Sequence, residues 1–251
     1  MAGEAYDSDI APVAALLADP GRAAILRALL PGRPLAAGEL ATVAHVSAPT
    51  ASAHLAKLLD GGMIAVTKQG RHRYYRLASY QVAEVLEQLA LVSRDIPVRT
   101  LRQSREAEAL AQARTCYDHL AGRAGVELFD SLLRNGVIKD VGSPGDTGSW
   151  PEAADSPAQR VFEVTGHGED QLAAFGIDVG ELRRQRRRFA GACLDWTQRR
   201  AHLNGTLGAA ITARLFDLGW IERGARHRSV VITAVGAEGL SAAFGWELSV
   251  A

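Results

Sequence analysis

The sequence predicts a mainly α-helical chain with small β-hairpins, and three observations lead there. Apolar residues recur at three- and four-residue spacing over most of its length, the period of a helix face laid on a core. Glycine and proline cut these stretches into short elements. Two brief runs rich in β-branched and aromatic residues, 63–77 and 220–233, fold about basic turns. With 47% hydrophobic and 22% charged residues, the 251-residue chain has material for a real core and is no candidate for wholesale disorder.

Residues 8–18 place Ile10, Val13, Leu16 and Leu17 on one stripe, and Asp19-Pro20-Gly21 interrupts it. Pro20 then opens a second helix with Ile25, Leu26, Leu29 and Leu30 apolar, closed by Pro31-Gly32. Residues 36–45 make a brief helix. Val46-Ser47 is a tight connection, and Ser47 is a good N-cap for a helix over 48–60 that tolerates Pro49 in its first turn. Gly61-Gly62 stops it. Met63–Thr67 and His72–Leu77 form a hairpin around Lys68–Arg71, and 79–94 is an amphipathic helix with Val82, Val85, Leu86, Leu89 and Val92 on one face.

Asp95-Ile96-Pro97 marks a boundary between domains at 1–95 and 99–251. Beyond it, 99–121 reads as a long helix and 123–135 as another, broken at Gly122; 140–158 is dense in Gly, Pro, Ser and Asp and reads as an exposed loop. Val161–Thr165 is a strand, 179–190 a helix, and Cys193–Gly205 a polar joint. A helix at 206–218, Gly219, a hairpin of Trp220–Arg223 with Ser229–Thr233 around Gly224–Arg228, and a helix at 236–244 complete the chain. That order echoes 48–90.

Lys+Arg and Asp+Glu balance at 28 each, so total charge does not advertise nucleic acid. Locally the picture differs: Lys68, Arg71, Arg73 and Arg76 fall within 68–76 with no acid among them, and local potential governs contact with phosphate. No apolar run approaches the roughly 18–20 residues that span a bilayer. Met1–Asp9 carries three acids and no base, the wrong character for a secretory signal, so a cytoplasmic protein is expected. Two cysteines, Cys116 and Cys193, cannot make a disulfide framework.

The helix over 48–60 has the two faces that a DNA-reading helix needs. Ala51, Leu55, Leu58 and Leu59 form an apolar side; Pro49, Thr50, Ser52, Ala53, His54 and Lys57 form a short-chained side that fits a major groove about 12 Å wide. Lys68, Arg71 and Arg73 on the hairpin would sit against flanking phosphates or minor groove. The competing reading is a solvated helix beside a charged hairpin. The joint occurrence of a groove-sized helix and a basic hairpin favours DNA.

The run Gly38-Glu39-Leu40-Ala41, then Ser47 through Leu58, Gly61-Gly62-Met63-Ile64 and Gly70 through Leu77 resembles the ArsR/SmtB family of winged helix-turn-helix repressors over roughly the first 95 residues. The resemblance implies an N-terminal winged helix-turn-helix, a homodimer built in part by the 79–94 helix, double-stranded DNA with inverted half-sites as partner, and an effector that changes DNA affinity. The echo of 48–90 in the later order makes 206–244 a second winged-helix-like module within a C-terminal α+β domain. The family's usual metal ligands do not carry over: 36–45 holds no Cys, and 79–94 holds no His or Asp.

For the C-terminal half three readings stay open. Cys116, His119, Cys193 and His202 would satisfy tetrahedral zinc or another thiophilic ion, with a reversible disulfide as a variant; Cys116 and His119 are expected at i and i+3 on a helix. Tyr117, Trp196, Arg199, Arg200 and Trp220 supply aromatic walls and cationic anchors for a small-molecule effector. Alternatively the half is a structural extension with inert, buried thiols. Five arginines in RRQRRR, 183–188, read as a solvated face with an added phosphate contact as the alternative. No nucleophile elbow, phosphate-binding glycine loop or H-E-x-x-H is present, so an enzyme is not expected. The rival is an adaptor whose tandem winged helices dock proteins rather than DNA.

Overall fold

The computed structural model describes residues 8–93, 100–142, 160–225 and 228–246, and its contacts divide the chain into Met1–Leu89 and Ala90–Ala251. The boundary expected at Asp95-Ile96-Pro97 lies outside the described residues.

The first unit runs α1 (Ala11–Leu17), α2 (Pro20–Leu29), β1 (Leu35–Ala36), α3 (Ala37–Ala44), α4 (Ala48–Asp60), β2 (Ile64–Gln69), β3 (His72–Leu77) and α5 (Tyr80–Val92), the last continuing past the boundary. Asp19 caps α2 by accepting from the Arg22 amide at 2.8 Å, which settles two orphan features at once, a free N–H and the helix's positive end. The apolar set of α2 is buried as its spacing requires, together with Leu40, Leu55, Leu58, Ile64 and Leu77. A three-stranded antiparallel sheet in the order β1-β3-β2 holds the hairpin to this core through Tyr75, which pairs with Leu35 on one side and Val66 on the other. β1 was not expected; two residues are too few to show a period.

The helix expected over 79–94 is present as α5, and part of its apolar stripe is exposed. Ala83 and Glu87 are the buried positions, whereas Val85, Leu89 and Val92 are 47%, 40% and 80% exposed. Periodicity identifies a stripe without saying what covers it.

The second unit is built from one design used twice. After α6 (Leu101–Gln112) come a hairpin of β4 (Arg114–Cys116) and β5 (His119–Ala121), α7 (Gly122–Arg134), β6 (Ile138–Asp140) paired with β7 (Phe162–Val164), and α8 (Gly166–Ala174). After α9 (Val179–Arg183) the order recurs as β8 (Gly191–Leu194) with β9 (Ala201–Asn204), α10 (Gly205–Asp217), β10 (Ile221–Arg223) with β11 (Val230–Ile232), and α11 (Ala234–Phe244). Thr165 and Thr233 cap α8 and α11 alike, each accepting from the amide three residues on. Both copies feed one core that includes Leu120, Phe129 and Leu132 from the first and Leu203, Leu207 and Ile211 from the second.

Three expectations are corrected here. The long helix over 99–121 ends at Gln112, because Arg114–Cys116 pairs with His119–Ala121 and Tyr117 turns the chain at φ 58°. Cys116 and His119 therefore face each other across a hairpin instead of lying on a helix. Cys193–Gly205 is the matching hairpin β8–β9, not a joint. The helix over 179–190 stops at Arg183, short of most of the arginine run. The expected 206–244 module is present as α10, β10, β11 and α11, and its counterpart in the unit is the stretch from α7 to α8. Of the expected 140–158 loop, residues 143–158 lie outside the described residues.

Candidate nucleic-acid interface and a buried Cys–His cluster

In the first unit, α3 ends on His45 in the left-handed region at φ 54°, which turns the chain sharply into α4. Ser47 caps α4, its hydroxyl 2.8 Å from that of Thr50. Ala51, Leu55 and Leu58 are buried against the unit, so the opposite face is fixed by geometry: Ser47, Pro49, Thr50, Ser52, Ala53 and Lys57 are exposed together. His54 lies at the edge of this face with its side chain 14% exposed and Nε2 3.7 Å from Asp19, tied to the α2 cap.

The hairpin presents Lys68, Arg71 and Arg73, all exposed, around a tight turn at Gly70. Lys68 and Arg73 stand directly opposite in the ladder, an arrangement that costs energy unless an anion lies between them. Tyr75 is buried and Tyr74 half-buried, so only one tyrosine serves the core. Short side chains on a rigid helix, flanked by cations that make no ion pair among the described residues, can meet a groove and its phosphates.

The second unit brings Cys116, His119, Cys193 and His202 together. All four are buried, and their ligand-capable atoms lie within 4.8 Å of one another. The sheet register explains the convergence: Cys116 pairs with His119 and Cys193 with His202, so each hairpin offers one thiol and one imidazole near its turn. The hairpins meet because glycines let helices approach. A Cβ on Gly125 would strike the Leu120 carbonyl and lie 3.6 Å from Cβ of His202; one on Gly208 would strike Leu203 and lie 3.4 Å from Cβ of His119. The two imidazoles stack with centroids 5.2 Å apart.

Each histidine has a carboxylate beside Nδ1, Asp118 at 3.3 Å from His119 and Asp195 at 4.0 Å from His202. Each carboxylate has an arginine. Arg187 clasps Asp118, with Nη2 donating to Oδ1 at 3.0 Å. Arg114, 1% exposed, donates to Asp195 at 2.8 Å and stacks over Trp196 at 4.7 Å. Asp195 also accepts from the Gly122 and Gln198 amides and from the amide and hydroxyl of Thr197. Asn204 donates to Cys193 Sγ at 3.0 Å.

The charges follow from these contacts. Burial disfavours a charged His119, but Asp118 and Cys193 outweigh it and raise its pKa to about 9. Burial and then the neighbouring His119 lower His202 to about 4. Cys116 beside it, opposed by burial and reinforced by His119, holds the Cys193 thiol well below its usual range. Against burial, His119 and Arg187 lower Asp118 to about 2, and Arg114 keeps Asp195 well below the usual carboxylate range.

Comparison with known proteins decides what such a chain is. It is 42% identical over 228 residues, 91% of its length and 93% of the relative's, to the uncharacterised HTH-type transcriptional regulator YdfF of Bacillus subtilis (strain 168). The chain belongs to the HTH-type transcriptional regulators. The helix-turn-helix domain family HTH_20 matches residues 17–67, which hold α2 to α4. Similar solved structures include the homodimeric winged helix-turn-helix fragment of Mb0332 from Mycobacterium bovis (33% identity, 37% of this chain and 89% of that one, TM-score 0.31), and the cadmium sensor CMTR from Mycobacterium tuberculosis (33% identity, 37% and 99%, TM-score 0.29).

In this HTH-type regulator the other residues expected at an effector site have local structural surroundings of their own. Trp220 packs on Phe175 with centroids 5.4 Å apart and against Gly239 of α11. Trp196 lies under Arg114, Arg200 pairs with Asp130 at 2.6 Å, and Tyr117 and Arg199 occupy left-handed turn positions. In the arginine run, Arg183 pairs with Glu169, Arg187 with Asp118, and Arg188 donates to the Arg160 carbonyl, a structural use for three of the five. Sequence reading passed over Asp118, Arg114, Arg187 and Asn204. A signal existed: Cys-x-Asp followed by His-Leu-x-Gly-x-x-Gly occurs at 116–125 and again at 193–208, with the His displaced in the second by an insertion after Asp195.

Proposed function

We propose that this DNA-binding transcription regulator acts as a homodimer on inverted half-sites, with the exposed face of α4 in the major groove, the β2–β3 hairpin on flanking phosphate, and DNA affinity set by an effector held in the second unit. The observation that carries this reading is the exposure of Ser47, Pro49, Thr50, Ser52, Ala53 and Lys57 on one side of a helix whose other side is locked in the core. Two such helices about 34 Å apart match successive major grooves on one side of a duplex.

The test is electrostatic. Arg71→Ala with Arg73→Ala is expected to weaken duplex binding and to reduce the slope of log affinity against log salt by about 1 for each phosphate deprived of its cation. Binding unchanged by both substitutions would favour the adaptor reading. For assembly, the exposed stripe of α5 supports a two-fold helix contact. Val85→Glu is expected to convert the dimer to monomer, read as a halved mass by light scattering; an unaltered mass would place the dimer contact elsewhere.

A further inference from the structure

We propose that the second unit is a closed tetrahedral site for a thiophilic divalent ion of the zinc class, in which the two halves of the internal repeat each contribute one cysteine and one histidine: Cys116 with His119, and Cys193 with His202. This names the effector class for the site proposed above and rests on that reading only for its regulatory consequence.

Five arguments converge. The donor set is right: two thiolates and two neutral imidazoles around a dication carry no net charge, so burial does not impose the cost of an isolated buried ion. The dimensions are right. With Zn–S about 2.3 Å and Zn–N about 2.0 Å, tetrahedral corners lie about 3.3–3.8 Å apart. The donors here lie within 4.8 Å of one another, so closure on an ion takes shifts of about an ångström. The polar atoms lack other uses. His119 Nε2 and both ring nitrogens of His202 are buried without a hydrogen-bond partner, which a metal-free core would leave uncompensated.

The surroundings are also those of a metal site. Asp118 at His119 Nδ1 fixes that ring so that Nε2 faces the cluster, and Asp195 takes the corresponding place near His202. Asn204 donates to Cys193 Sγ, which stabilises the thiolate form. Finally, the two halves of the repeat keep the same chemistry at matching places. Leu120 and Leu203, and the glycines after them, have evident packing roles; Cys, Asp and His in the same registers do not fill space better than aliphatic residues would. The thiol–imidazole pairs are retained in both hairpins where they meet.

The experiment uses full-length protein purified with reductant, with Zn2+ and Co2+ as probes. One ion per chain is expected, with Co2+ giving the visible absorption of a tetrahedral centre and a sulfur-to-cobalt charge-transfer band. Cys116→Ser is expected to abolish that charge-transfer pattern or weaken it to a single thiolate. Asp118→Asn, which leaves every ligand in place, is expected to weaken Zn2+ binding about 10–100-fold. Because the wild-type spectrum needs no variant, misfolding of a substituted chain does not rescue the proposal. Reduced, folded wild-type protein that takes up neither ion overturns it, as does uptake that survives Cys116→Ser and His202→Ala unchanged. A Cys116–Cys193 disulfide with no ion uptake on reduction overturns it in favour of a thiol switch. None of these readings involves DNA, so the site and the regulator's DNA mechanism fail separately.

Discussion

Ser52→Glu is expected to remove duplex binding while leaving the fold intact. Ser52 is exposed one position after the buried Ala51 and three before the buried Leu55, so its side chain stands clear of the core. Substitutions at such places usually change stability by less than about 0.5 kcal/mol. In a major groove the same carboxylate would face phosphates and base-edge acceptors, and like-charge juxtaposition costs several kcal/mol, about 100-fold or more in affinity. Gel-shift titration beside a thermal melt separates the two quantities. An unchanged melt with unchanged binding would mean that α4 does not enter the groove by this face.

The second large effect is expected at Asp195→Asn. The substitution keeps the shape of the side chain and removes its charge, leaving Arg114 buried at 1% exposure opposite a neutral amide. Breaking a buried pair from one side costs about 3–5 kcal/mol, because the remaining ion keeps its desolvation penalty. The amide has a further handicap. Its nitrogen cannot accept, yet Asp195 takes five donors across its two oxygens: Arg114, the Gly122, Thr197 and Gln198 amides and the Thr197 hydroxyl. Denaturant melts of the full chain would read the loss. A change under about 1 kcal/mol would show that water reaches Arg114 and screens it.

The first unit was largely legible in the sequence because its signals are local. Ser47 caps the helix it precedes, the α2 stripe has one period throughout, and the turn at Gly70 sits between runs of the right length. The second unit hid its hairpins. β4 and β5 are three residues each, too short for alternation to show, and α6 leads into them with helix-forming composition. The four Cys and His residues were visible as types, but their meeting depends on strand register and on α7 and α10 each crossing the opposite hairpin at a glycine. His54 illustrates the reverse. Its sequence position puts it on the short-chained side of the helix, and only the fold shows it at the edge of that side, turned to Asp19.

Arg114 and Asp195 are separated by 81 positions in the chain. Multidomain chains fold largely in order of synthesis, amino-terminal part first. A growing polypeptide therefore completes α4 and its basic hairpin well before Asp195 or Cys193 has been made. Anything that depends on both hairpins is the last part of the molecule to come into being. A prematurely stopped product would hold α4 and the basic hairpin without the Cys–His cluster.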